Sequence, residues 1–297
     1  MTRRRFPVGK TLLYVFMSLW ALTTIYPFIW VILNSFKPRG LIRSDTFSLP
    51  IGDKFTLENY VTAFKRVDIG TAYVNSIVIS GAVTVVVMVL AGLAAYAMVR
   101  YSFRLRGFLH SMIIASMMFP VFSTIIPVFR MESSWGIVNT GSIWLTRLSV
   151  VLPQIAGNLS FAIIVLMGFI RSLPVDLEEA AYLEGYNVYQ IFFRIIMPLA
   201  KPTIMVILLY YAVGHWNAWF HAMIYLRDAD KMPLQIFLRD ILTRSQLGAM
   251  TGQTDVEDVG QTIKYATIIV STVPILCVYP FIQKHFVKGV MIGSLKG

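Results

Sequence analysis

Gln154, Asn158, Tyr210, Tyr211, Trp216, Asn217 and Trp219 sit inside long apolar runs of this 297-residue chain. Burying a hydrogen-bonding group in apolar surroundings costs free energy, so such residues are candidates for contact with a passing solute. Amides bond hydroxyl groups, and aromatic rings stack on flat apolar faces. The competing account is hydrogen bonding between helices, or plain packing.

Bond-making chemistry has little to work with. The single cysteine, Cys277, cannot close an intramolecular disulfide, and His110, His215, His221 and His285 are scattered with no metal-ligand spacing. No nucleophile with a matching base stands within the apolar runs. A phosphate-binding glycine–lysine loop is also missing, so the chain does not itself bind ATP in that way. The expectation is therefore no catalytic residue, no metal and no cofactor held by this chain.

The stretch 171–202 is polar in a chain that is otherwise apolar. Pro174 suits the first turn of a helix. Asp176 is expected to cap that turn with Glu179 as its capping-box partner. Leu177, Ala180, Ala181 and Leu183 offer a short apolar face, and Gly185 is a natural left-handed stop. Asn187 and Gln190 form a second cap signature, and Pro198 and Pro202 end the helix that follows. The stretch reads as helix, glycine turn, helix, lying on a membrane surface.

These residues need a scaffold, and composition says which kind. Hydrophobic residues make up 57% and charged residues 14% of the chain, against about 25% charged in soluble domains. Mean hydropathy is +0.68. A bilayer is the solvent that tolerates this balance. The net charge of +11 reflects basic residues flanking apolar spans, and nothing points to nucleic acid. Apolar runs at 11–34, 71–99, 108–129, 148–170, 203–225 and 263–283 are long enough to span, and in lipid each must be helical. Pro120 and Pro127 predict a kinked or broken third span. Gly81, Ala91, Gly92, Ala94, Ala95 and Gly157 are small enough for close helix packing. The first run is too long for a cleaved signal segment and is followed by no small-residue cleavage site. Lys and Arg divide evenly between the two sides. Even so, the short basic stretch 100–106 and the arginines at 3–5 abut the membrane, which favours cytoplasmic termini. The organisation expected is a tail at 1–10, a six-span domain at 11–283 and a tail at 284–297.

Glu179-Ala180-Ala181, Gly185 four residues on, and Ile195-Ile196-Met197-Pro198 after a further nine together resemble the EAA loop of ABC importer permeases. The family pattern has leucine where Met197 stands, aspartate where Glu184 stands and alanine where Tyr186 stands. The tail from Phe286, with Gly289, Gly293, Lys296 and Gly297, is similar to that of maltose-transporter-like carbohydrate permeases. So are Trp216-Asn217 and the residues after Tyr225, and the closest likeness is to the complex-oligosaccharide subgroup.

That resemblance implies an all-α, six-span type I importer fold in the bacterial cytoplasmic (inner) membrane, with a translocation path for an oligosaccharide or polysaccharide. It implies as partners a second, different permease, a dimer of ATPase subunits that bind ATP and magnesium, and an extracytoplasmic solute-binding protein. Glu178, Glu179, Ala180, Ala181, Gly185, Pro198, Gly289, Gly293, Lys296 and Gly297 would form the contact with the ATPase, Glu179 pairing with a basic residue there. The outer loop 226–262 would face the binding protein. Two rival readings are a secondary transporter or channel for a small polar solute and an intramembrane enzyme. The first predicts ionisable residues in mid-span, which are nearly absent, and the second a nucleophile with its base.

Overall fold

The computed structural model describes residues 8–38, 40–66, 68–251 and 263–280, and every regular element among them is helical. The helices α1 (Val8–Ser35), α2 (Glu58–Arg66) and α3 (Ile69–Arg100) open the chain. There follow α4 (Arg106–Ser116), α5 (Val121–Ser134), α6 (Ile143–Ser172) and the short α7 (Asp176–Leu183). Next come α8 (Val188–Leu199), α9 (Lys201–Trp216), α10 (Phe220–Tyr225), α11 (Leu234–Thr251) and α12 (Ile263–Pro280).

Four of these, α1, α3, α6 and α12, are each long and apolar enough to cross a membrane. Two bent pairs, α4 with α5 at 105° and α8 with α9 at 76°, bring the total to six when each counts as one span. The α4–α5 bend falls at 117–120, where Pro120 begins the second helix, whereas Pro127 lies inside α5 without breaking it. The expected fifth span at 203–225 is not one helix. The Asn217 side chain donates to the Val213 carbonyl at 3.0 Å, the chain leaves the helix at 217–219, and α10 resumes it. The backbone N–H of Asn217 bonds the same carbonyl at 3.1 Å, so the helical ladder runs up to this residue and stops after it.

The described chain divides into two compact units. In the unit formed from 1–67 and 238–273, α1 presents its apolar side chains outward, with Leu12 64%, Trp20 65% and Phe28 58% exposed. Lipid or a partner chain is the surrounding such a surface requires. The end of α1 is tied down by polar contacts. Asn59 donates to the carbonyls of Ser35 and Lys37, both at 2.8 Å, and the buried Lys37 ammonium donates to the carbonyls of Asp45 and Thr46.

In the unit formed from 68–237 and 274–297, α3 and α6 are the central pair. Val83, Val87, Ala91 and Ala95 recur every fourth residue along α3 and are fully buried. They share a core with Val150, Ala162, Leu166 and Met167 of α6. The Asp68 carboxylate caps α3 by accepting from the backbone N–H of Thr71 at 3.1 Å and its hydroxyl at 2.7 Å. At about 1.5 Å per residue, helices of 32 and 30 residues exceed a hydrocarbon core of about 30 Å. Their ends therefore stand clear of it. Among the small residues, Ala91, Ala95 and Gly92 serve close packing, and a Cβ on Gly92 would meet the Phe192 ring at 3.4 Å. Gly81 and Gly157 face open space instead.

Candidate functional site

At the end where α3 and α6 finish, the chain turns into α7. The expected Asp176 cap does not form. Asp176 is the first residue of the helix, Val175 precedes it, and the Val175 carbonyl accepts from the N–H groups of Glu178 and Glu179. Asp176, Glu178 and Glu179 in the first turn still suit the positive end of the helix dipole. Gly185 does take the left-handed conformation, at φ +86°. Its N–H bonds the Tyr182 carbonyl and that of Tyr186 bonds Ala181, both at 3.0 Å, which closes the turn as a Schellman motif. Asn187 and Gln190 form the expected capping box, each bonding the other's backbone N–H at 2.9 Å. Pro198 brings no N–H; the turn before it, Phe192–Ile196, is π-helical, and the 76° bend into α9 follows.

One buried cluster sets how α7 is held. Arg100, the last residue of α3, donates from Nε to Glu178 Oε1 at 2.5 Å and from Nη2 to the Leu173 carbonyl at 3.0 Å. The Tyr96 hydroxyl donates to Glu178 Oε2 at 2.8 Å. Both oxygens of Glu178 are thus satisfied within the chain, and Tyr96 is itself packed on Phe192 of α8. The predicted apolar face of α7 is corrected by this arrangement. Ala181 alone of that set is buried, while Leu177 is 42% and Leu183 91% exposed. Glu179 and Ala180 share the exposed side. The exposed side of α7 therefore carries a carboxylate, Glu179, together with Leu177 and Leu183.

The polar residues inside the spans divide into two groups. Gln154, Asn158 and Tyr211 come together. Asn158 donates to the Gln154 carbonyl at 2.7 Å, and the Tyr211 hydroxyl donates to the Asn158 carbonyl at 2.5 Å. His215, which carried no signal in the sequence, completes the group. Gln154 Nε2 donates to the Val150 carbonyl, so its Oε1 accepts from His215 Nδ1 at 3.1 Å. Tyr211 stacks on the His215 ring. The Tyr211 and His215 bonds join α9 to α6, the competing account given to such residues above, while the Asn158 and Gln154 amides bond back within α6. The second group is less uniform, and its Tyr210 ring still packs on Tyr211 at 5.5 Å. Tyr210 is 63% exposed beside Phe161. Trp216 is buried against Tyr73. Asn217 and Trp219 line a small cavity at the break before α10.

Gly289, Gly293, Lys296 and Gly297 lie outside the described residues, as does 252–262 of the loop 226–262. The described start of that loop is anchored. Lys231 donates to the Thr140 carbonyl at 2.8 Å and pairs with Asp228, and Asn75 donates to the Asp230 and Met232 carbonyls. Among the described residues no group of His, Cys, Asp or Glu could hold a metal ion.

Known proteins resemble this chain along its length. The profile of a family described as "Binding-protein-dependent transport system inner membrane component" matches residues 87–292. The polygalacturonan/rhamnogalacturonan transport system permease protein YtcP of Bacillus subtilis is 37% identical, over 96% of this chain and 97% of its own. The diacetylchitobiose uptake system permease protein NgcG of Streptomyces coelicolor is 31% identical, over 95% of this chain and 88% of its own. Among solved structures, one chain comes from a bacterial ABC transporter involved in the import of the acidic polysaccharide alginate. It superposes with a TM-score of 0.77 at 26% identity, covering 96% of this chain and 99% of that one.

Proposed function

We propose, from the premise that this chain belongs to the family of binding-protein-dependent transport system inner membrane components, that it lines the path of an oligosaccharide and receives the ATPase stroke through α7. Family membership makes it a multi-pass inner-membrane permease of an ABC importer, a transport subunit without a catalytic role, served by a binding protein. An oligosaccharide or polysaccharide cargo agrees with the relatives, whose names specify polygalacturonan, rhamnogalacturonan and diacetylchitobiose.

The carrying observation is the pinned helix. Glu178 is locked inward by Arg100 and Tyr96, so Glu179, Leu177 and Leu183 are held outward together. In our reading α7 seats on an ATPase subunit at the cytoplasmic surface, with Glu179 paired to a basic residue there. ATP and magnesium belong to the ATPase dimer, and a second, different permease completes the path. The outer loop 226–262 would face the binding protein. Coupling requires that this contact differ between open and closed ATPase states. Deletion of this chain, followed by uptake assays with a panel of labelled oligosaccharides, tests the reading. We expect loss of uptake for one oligosaccharide class, restored by the wild-type chain, with an ATPase copurifying. Unchanged uptake across the panel would refute the oligosaccharide cargo.

A further inference from the structure

Away from α7 lies a cavity of about 610 Å³, walled by α5, α6 and α10. Glu132 lines it and is 1% exposed, and its Oε2 has no hydrogen-bond partner among the described residues. A buried carboxylate oxygen without a donor is costly, so the site as it stands is incomplete. Among the described residues no lysine or arginine lines the cavity, and its other walls include Phe119, Trp135, Thr124 and His221. A volume in this range, mostly apolar walls and a few convergent polar groups are the marks of a small-molecule site.

The cavity also lies where two spans are broken. The 117–120 bend contributes Phe119, and the 217–219 break leads into His221, which lines both this cavity and the smaller one beside it. Phe122 and Phe220, just past the two breaks, meet at 5.2 Å. Irregular backbone at membrane depth is tolerated where it is buried in protein or lines a water-filled space.

We propose that this cavity is a saccharide subsite within the permease, and that Glu132 makes it selective for neutral sugar residues over uronates. Neighbouring hydroxyls of a neutral sugar supply the donors that Glu132 Oε2 lacks. Trp135 and Phe119 offer flat apolar surface to the carbon-bound faces of the ring. Where both are ionised, a uronate carboxylate meets Glu132 as a like charge and brings it no hydrogen-bond donor, and among the described residues no lysine or arginine lines the cavity to offset it. The inference rests on the oligosaccharide reading given above.

The test uses the assembled transporter with its binding protein in vesicles, supplied with neutral oligosaccharides and oligogalacturonides of matched length. Glu132→Gln and Glu132→Arg should each lower the ratio of neutral to acidic uptake by about tenfold or more, the scale of one hydrogen bond to a charged group. As a measurement independent of how those variants fold, Thr124→Cys in a Cys277→Ala background should react with a maleimide. A neutral oligosaccharide should protect it, and an oligogalacturonide should not. An unchanged uptake ratio in active Glu132 variants, no protection by any neutral oligosaccharide, or protection by a divalent cation alone would each overturn the subsite. Wild-type vesicles that import neither class would overturn the oligosaccharide reading itself, and the subsite with it.

Discussion

Arg100 and Glu178 lie 78 positions apart in the sequence, yet their side chains meet at 2.5 Å, with only 12% and 6% of each exposed. This contact joins the end of α3 to the first turn of α7. A tilt of α3 therefore has a direct mechanical route to the surface that carries Glu179. Breaking a buried pair on one side leaves the other charge without its partner, which typically costs about 3–5 kcal/mol. Arg100→Ala should thus lower the melting temperature of the purified transporter and uncouple substrate-stimulated ATP hydrolysis. Tyr96→Phe removes one hydrogen bond to a charged group and should cost less, about 1.5–3 kcal/mol. A double-mutant cycle that finds Arg100 and Glu178 additive would refute the link.

Glu179 and Gly185 test the outward side of α7. Both Glu179→Arg and Gly185→Asp should insert normally and lose coupling, read as membrane-bound ATPase and substrate-stimulated hydrolysis. Nothing lies within 4 Å of a Cβ built on Gly185, so crowding plays no part there; the loss in Gly185→Asp comes from the added charge, and that in bulkier variants from the φ of +86°. Gly185→Asn should accordingly stay near wild type, because asparagine tolerates the left-handed region, while Gly185→Val should lose roughly 1–2 kcal/mol. Equal loss in the asparagine and valine variants would point to a contact in place of a conformation.

Small residues along α3 should differ in tolerance. Gly92→Ala brings a Cβ into ordinary contact with Phe192 and Met197 and should be nearly silent. Gly92→Leu overpacks the same site and should destabilise by about 1–3 kcal/mol. Gly81 faces open space, so Gly81→Leu should be milder, and thermal melts of the two leucine variants decide the matter.

The in-span polar residues should split by measurement. Gln154→Leu strips the buried His215 of its partner and should reduce stability by about 1–3 kcal/mol. Tyr210→Ala, on an exposed ring, should leave the melting temperature unchanged; if it lines the path, transport falls alone.

Sidedness can be read with single cysteines in a Cys277→Ala background. Ser44 and Asp240 are exposed and should label from outside with an impermeant reagent; Tyr189, 72% exposed beyond α7, should not. Ser245 lies in the same outer loop but is only 5% exposed, which makes it a poor probe. External labelling of Tyr189→Cys in intact cells would reverse the topology.

Much of this protein is legible in its sequence because the governing physics is local. A bilayer favours helix in every long apolar run, so α1, α3, α6 and α12 follow from hydropathy, whereas the bends within the other two spans do not. Gly185 and the Asn187–Gln190 box act through bonds three to five residues apart, and their sequence signatures name the geometry directly. Pro120 marks a real break, but Pro127 does not, and the gap at 217–219 carries no proline at all. That break is visible only once the backbone is placed. Tertiary structure alone decided which carboxylate of the Glu178–Glu179 pair turns inward. Adjacent helical residues differ by about 100° of rotation, and nothing in their identity says which one meets Arg100. The same holds for the Gln154–His215 contact between α6 and α9, and for the unpartnered oxygen of Glu132. Each depends on which helix faces lie against one another, and a linear pattern of residue types does not contain that information.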